Sequence, residues 1–257
     1  MQLKKQLIEL RRLSLKNKIM EQIYLQLKEF IYSISIEMFP QICRDMDKIE
    51  DKRYNYYFTL VNEIYKGLAL CCTAIDIQAY SQIGTLLRQL FEQVATAKVI
   101  GEDENALSAY KTFANARHYY LVNNEDETQL NALFAQSKIP KKKLKKLDYY
   151  SIGWLELIGE SDVSYEKLFE RAQMIDLINW RKYCNNYVHT NITFMEYTQE
   201  GVIKQSDDFF YLLAILLDVI CCSYHNVTKY DFNHHQENGF TDFRKIYSQI
   251  TKTRIDS

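Results

Sequence analysis

Glycine and proline are scarce, at 7 and 2 of 257 residues. Chains that reverse strand after strand draw heavily on both, so an all-β fold of this length is excluded. Cysteine occurs 6 times without a CxxC spacing. The adjacent pairs Cys71-Cys72 and Cys221-Cys222 sit in apolar helical text and read as reduced core residues of a cytoplasmic protein. Charge of one sign is also lacking: the formal net charge is −1, which excludes a generally basic nucleic-acid coat and confines any RNA contact to a local patch. The first twenty residues are rich in Lys and Arg and carry no continuous apolar core, so a secretory signal is not expected. The longest apolar run, Phe209 to Cys222, is interrupted by Asp218 and falls short of the about 20 residues that a bilayer requires. A buried core helix is expected there, and no membrane contact. GxGxxG, GxxxxGK[ST], HExxH and GxSxG do not occur, which removes the nucleotide-fold, zincin and hydrolase-elbow readings. His225, Asp231, His234 and His235 fit no compact ligand set, so neither a metal nor another cofactor is expected.

What is present points to helices. Hydrophobic residues make up 47% and charged residues 25%, with 20 Tyr and 13 Phe. That composition supports an all-α bundle whose helix contacts are broad and partly polar, since Tyr buries its ring and keeps its hydroxyl wet. Leu3, Leu7, Leu10, Ile19, Ile23, Leu27, Phe30 and Ile34 trace a narrow apolar stripe on a long N-terminal amphipathic helix. It is suited to pack on its own domain or on a second copy. Pro40 and the charged run from Arg44 to Arg53 predict a break and a connector. Helices are predicted over Tyr54 to about Ala79 and from about Gln82 to Val99, with one long helix over both as the alternative, and over Ala106 to Val122. Ser164 reads as the N-cap of another helix, with Glu166 in its first turn. Ser206-Asp207-Asp208 reads as the cap of a core helix from Phe209 to about Tyr224. Residues 1–50 thus form an N-terminal helix and connector, and residues 51–257 one helical bundle.

Two places carry candidate chemistry. Arg88 and Glu92 are four apart on one helical face, among Leu87, Leu90, Phe91 and Ala95, and read as a partly buried ion pair that either pins the bundle or assists a histidine elsewhere. Asn185-Asn186-Tyr187-Val188-His189-Thr190-Asn191 crowds three amides, an imidazole and a hydroxyl into seven positions. An imidazole titrates near neutrality in general, which makes His189 the candidate general acid–base. On a helix, Asn185 and Asn186 share its side as orienting groups, and Arg181 falls two turns away on a similar face. Arginine and histidine at one phosphodiester supply charge stabilisation and proton transfer, which is what RNA cleavage through the ribose 2′-hydroxyl needs. Lys141, Lys142, Lys143, Lys145 and Lys146 form the dense basic block, read as a solvated face or as an RNA-phosphate patch.

The text LLRQLFE, with the later WLELIGESDVSYEKLFERAQMIDLINWRKYCNNYVHTN, resembles a family of uncharacterised bacterial all-helical proteins with an Arg-x-x-x-Glu helix and a Val-His motif. The resemblance covers roughly residues 54–225. Such proteins are similar to the HEPN superfamily, whose catalytic members are dimeric ribonucleases of toxin–antitoxin and phage-defence systems. The resemblance implies a HEPN-like bundle over residues 51–257, a homodimer, an RNA substrate and a protein partner, with His189 as the family histidine and Asn185 or Asn186 at its polar position. In that family the arginine precedes the histidine with four to six residues between. Arg181 leaves seven, so either Arg88 takes the arginine's role or the chain keeps the bundle without the catalytic pattern, as a non-catalytic binding or regulatory module.

Overall fold

A computed structural model of the chain describes residues 2–123, 128–135, 152–188, 199–230 and 245–250. The fold is all-α: helix makes up 87% of the described residues, and no strand occurs among them. In order, the elements are α1 (Gln2–Lys48), α2 (Tyr54–Asp76), α3 (Tyr80–Glu102), α4 (Glu104–Val122), α5 (Thr128–Phe134), a 3-10 turn (Gly153–Ile158), α6 (Tyr165–Arg171), a second 3-10 turn (Ile175–Leu177), α7 (Ile178–Val188) and α8 (Gln199–Thr228). A last helical segment covers residues 245–250.

α3 is the axis of the bundle and packs against α2, α4, α6, α7 and α8. Its sequence explains why. Ile83, Leu87, Leu90, Phe91, Val94, Ala95, Ala97, Val99 and Ile100 are all buried, a set too wide for a one-sided stripe, so helices close on it from several directions. α1 lies antiparallel on α2: Lys28 pairs with Asp76, the Tyr32 hydroxyl meets Thr73 Oγ1 at 3.0 Å, and Ser35 Oγ donates to the Tyr65 carbonyl at 2.9 Å. Leu27, Ile31, Ile34, Met38 and Ile42 of α1 join the same core as α2 and α3. α1 also reaches α8, where Tyr24 stacks on Phe210 at 4.3 Å and the buried Asp45 carboxylate accepts from the Tyr224 hydroxyl at 2.7 Å.

Short polar side chains cap two helix starts, one of them the Ser164 cap expected from the sequence. Asp103 ends α3 and starts α4, its Oδ1 accepting from the backbone N–H of Asn105 at 2.8 Å and of Ala106 at 3.2 Å. Ser164 Oγ accepts from the Lys167 N–H at 3.3 Å. Two expected boundaries are corrected. The predicted break at Pro40 is not there, since α1 runs from Gln2 to Lys48 with Pro40 inside it. Proline removes one backbone donor and costs about 3 kcal/mol in a helix interior, but Met38 and Ile42 on either side are buried against the bundle, and packing overrides the local penalty. Ile36, whose carbonyl loses its donor, is 75% exposed and open to water. Likewise Ser206-Asp207-Asp208 does not cap a helix, because α8 already begins at Gln199.

All six cysteines are free thiols; Cys71, Cys72, Cys184 and Cys221 are buried, whereas Cys43 and Cys222 are exposed. Cys222 therefore lies outside the core in which its sequence placed it. Two helical stretches, Tyr54–Asp76 and Asp207–Thr228, are long and apolar enough to cross a membrane by length and composition; the second is longer than the apolar run read from the sequence. Both supply much of the bundle core, including Tyr57, Phe58, Val61, Phe209, Leu213 and Leu217.

Burial pushes the Cys72 and Cys184 thiols up to about 12, so at pH 8 they are protonated and poor nucleophiles. Alkylation of the folded protein followed by mass spectrometry should show Cys43 and Cys222 modified fast and the other four only after denaturation. A second test uses Gly101, where an added Cβ would sit 2.6 Å from Cε2 of the fully buried Tyr57 ring. Gly101→Ala should lose about 1–3 kcal/mol in urea denaturation. Gly67→Ala meets only the mobile end of Leu90 and should be near neutral, because alanine's helix propensity offsets the contact.

Candidate functional site

The two helices singled out by the sequence meet at one carboxylate. α7 packs along α3, which places Arg181 opposite Glu92. Arg181 Nη2 donates to Glu92 Oε1 at 2.6 Å and Nε donates to the same oxygen at 3.0 Å. Arg88, one turn before Glu92 on α3, donates its Nε to that oxygen at 3.3 Å. Two guanidiniums therefore converge on one oxygen.

The two arginines differ in setting. The Arg181 side chain is 8% exposed, and its guanidinium carbon lies 3.7 Å from the centroid of the Tyr165 ring on α6. Burying a guanidinium demands a paired carboxylate and filled donors, and the negative face of an aromatic ring adds to that pairing. Arg88 is 32% exposed, and its bond to Glu92 is the longest of the three. Glu92 is 16% exposed, so the pair is partly buried, as its apolar neighbours in sequence implied. Next to Arg181, Lys182 points outward to Glu166 at 2.9 Å and holds that carboxyl below its ordinary range.

Asn185 lies one turn after Arg181 on the same side of α7. Its Oδ1 is buried and accepts no hydrogen bond from the described residues. A buried amide oxygen without a donor is uncommon, and it marks either a missing ligand donor or a cost borne by the fold. Asn186 lies in α7 with its side chain outside the described residues. His189 lies outside them altogether, as do Lys141, Lys142, Lys143, Lys145, Lys146, Asp231, His234 and His235. Of the candidates, the structure brings together Arg88, Glu92 and Arg181, and places Asn185 one turn away along α7.

Tyr165 was missed as a site residue. It reads as the first residue of an ordinary capped helix, and no spacing links it to Arg181, sixteen positions later. The bridging role of Glu92 was half visible: its i, i+4 relation to Arg88 is local, whereas its bond to Arg181 spans 89 positions. His225, the one described member of the C-terminal histidine group, faces the Tyr230 carbonyl through Nδ1 at 2.7 Å. No group of three or more His, Cys, Asp or Glu able to hold a metal ion occurs among the described residues. Two open clefts lie elsewhere, one of about 630 Å³ beside Asp103, Ser108 and Arg171 and one of about 370 Å³ beside Tyr56, Gln93 and Tyr110.

Comparison with known protein families, with curated proteins and with solved structures gives no match. The chemistry of the cluster must then be read from its own charges. Arg88, Glu92 and Arg181 sum to +1, with the more exposed cation held by the weakest bond. Such a set is suited to meet an anion from solvent, and the fork of a guanidinium matches the oxygens of a phosphate or carboxylate.

Removal of each arginine should separate its role. Arg181→Ala leaves Glu92 without its main partner at a helix contact and should cost about 3 kcal/mol or more in urea denaturation. Arg88→Ala removes an i, i+4 pair of the kind that contributes about 0.3–0.5 kcal/mol, so its unfolding midpoint should stay near that of the wild type.

Proposed function

We propose that the protein is a HEPN-like, metal-independent endoribonuclease or toxin-like effector of a bacterial defence or toxin–antitoxin system, acting as a cytoplasmic homodimer. The observation that supports this reading is the convergence of Arg88 and Arg181 on Glu92. It fixes α7, the helix whose sequence continues into His189, on the helix that carries Arg88. On this reading the departure in arginine spacing is met by Arg88, which lies on a neighbouring helix and needs no fixed distance from His189 in the sequence.

In this mechanism Arg88 holds a phosphodiester oxygen and stabilises the charge that grows there in the transition state. The imidazole of His189 takes the proton of the adjacent ribose 2′-hydroxyl, and the 2′-oxygen bonds to phosphorus. The bond to the 5′-oxygen breaks, and that oxygen takes a proton from water. The products are a 2′,3′-cyclic phosphate and a 5′-hydroxyl end. Asn185 and Asn186 orient the imidazole, while Lys141, Lys142, Lys143, Lys145 and Lys146 add sequence-independent attraction for the RNA backbone.

A second reading has its own support. Arg181 is buried and its pairing with Glu92 is complete in geometry, as expected of a polar tie in a non-catalytic module that binds or regulates a protein partner. The experiment compares wild-type protein and His189→Ala, expressed in cells and assayed on purified RNA. The ribonuclease reading expects cell toxicity and RNA ends with cyclic phosphate from the wild type, with RNA cleavage reduced at least about a hundredfold by the substitution, within the range that general acid–base groups supply. Equal behaviour of the two proteins, with unchanged melting temperatures, favours the binding module.

A further inference from the structure

We infer that Glu92 holds its two arginines for different purposes: Arg181 is a permanent counter-charge, and Arg88 is a releasable one that leaves Glu92 to grip a backbone phosphate of single-stranded RNA. This rests on the ribonucleic-acid reading of the site and specifies which cation meets the substrate and what frees it.

Three features separate the arginines. Arg181 reaches Glu92 Oε1 through two donors at 2.6 and 3.0 Å, whereas Arg88 reaches it through one at 3.3 Å. Arg181 is anchored on its other side by the Tyr165 ring, so leaving Glu92 would strand a buried charge. Arg88 is about four times as exposed as Arg181, at 32% against 8%, and the two terminal nitrogens of its guanidinium donate to nothing among the described residues. Those two nitrogens form the edge that pairs with two phosphate oxygens.

The charges give the direction of the exchange. While Arg88 rests on Glu92, the trio carries +1. When Arg88 swings onto a phosphate, the Glu92–Arg181 pair left behind is neutral and still hydrogen-bonded, so nothing buried is left without a partner. Arg88 and Glu92 share α3, so the swing is a change of side-chain rotamer and requires no movement between helices. In the resting state Glu92 also keeps a carboxylate beside Arg88, which weakens the attraction for small anions. A polyanion that contributes several phosphates at once overcomes that competition more readily than a lone phosphate does.

The test uses the full chain and a short single-stranded 2′-O-methyl oligonucleotide, which lacks the hydroxyl needed for cleavage, with binding read by fluorescence anisotropy across a salt series. Arg88→Ala should weaken binding about tenfold at low salt and reduce the slope of log K against log salt by about 0.7, the value for one lost phosphate contact on a single strand, with an unchanged melting temperature. Arg88→Lys should keep the salt slope and lose part of the affinity, because the charge remains without the fork. Glu92→Gln, whose amide oxygen can still accept from Arg181, should bind about threefold tighter or better, since Arg88 is no longer held back. Inorganic phosphate up to millimolar concentration should not displace the oligonucleotide.

Wild-type affinity and salt slope retained in Arg88→Ala would overturn the inference. So would a melting loss in Arg88→Ala as large as that in Arg181→Ala, weaker binding in a folded Glu92→Gln, or no wild-type binding at low salt. Failure of the catalytic reading looks different: an all-ribose oligonucleotide stays intact while the Arg88-dependent binding persists.

Discussion

The site side of the bundle depends on the acceptance of two guanidiniums by a single Glu92 oxygen. Arg181 belongs to α7, stacks on a ring of α6 and donates to a carboxylate of α3, so one side chain ties three helices. A guanidinium in that position is tolerable only while Glu92 faces it. The same bond fixes the register of α7, because a slip by one turn would leave Arg181 without its carboxylate and Glu92 without its main donor. Between α1 and α8 Asp45 does comparable work. It accepts from the Gln41 amide at 2.8 Å and from the Tyr224 hydroxyl, and burial beside that carboxylate pushes the Tyr224 hydroxyl well above its ordinary range, which keeps it a donor. One buried carboxylate, Asp45, and one partly buried carboxylate, Glu92, thus set helix register.

Between these ties the close approach of helices follows from small residues at set places. Gly101 lets the Tyr57 ring lie against α3, whereas at Gly67 only the end of the Leu90 side chain comes close. The rings that fill the centre, Tyr57, Phe58 and Tyr224, meet edge-on at centroid distances of 5.5 and 6.1 Å, the geometry favoured by their quadrupoles. The high tyrosine content is used here: Tyr57 and Tyr65 bury their rings fully while their hydroxyls face Ser223 and Cys221.

Much of this was legible in the sequence, and the limits are physical. α2, α3 and α4 fall within a few residues of their periodic patterns, and Asp103 and Ser164 cap as short polar side chains do when the chain changes direction beside them. Pro40 misled because its cost is local, whereas the burial of Met38 and Ile42 that outweighs it comes from their place in the bundle core. Ser206-Asp207-Asp208 misled for a related reason, since side chains that cap a helix are also tolerated inside one when the flanking turns are held. Arg88–Glu92 was readable because four residues make one helical turn. Arg181 to Glu92, and Arg181 to Tyr165, were not, because partners on different helices leave no period in the chain.

That distinction bears on how an arginine spacing should be weighed. A fixed interval between arginine and histidine matters when both groups work from one helix, where each added residue rotates the side chain by about 100°. In this chain the nearer arginine, Arg181, is already committed to Glu92 and Tyr165, so shortening its interval to the histidine would still leave it bound to other partners. The cation with open donors lies on α3, and its distance from α7 is set by packing between the helices. On the proposed ribonuclease reading, a search for the motif along the sequence therefore tests the wrong arginine. On that reading the constraint that would be kept is the carboxylate one turn after Arg88, because Glu92 accepts from Arg181 of α7 and from Arg88 alike.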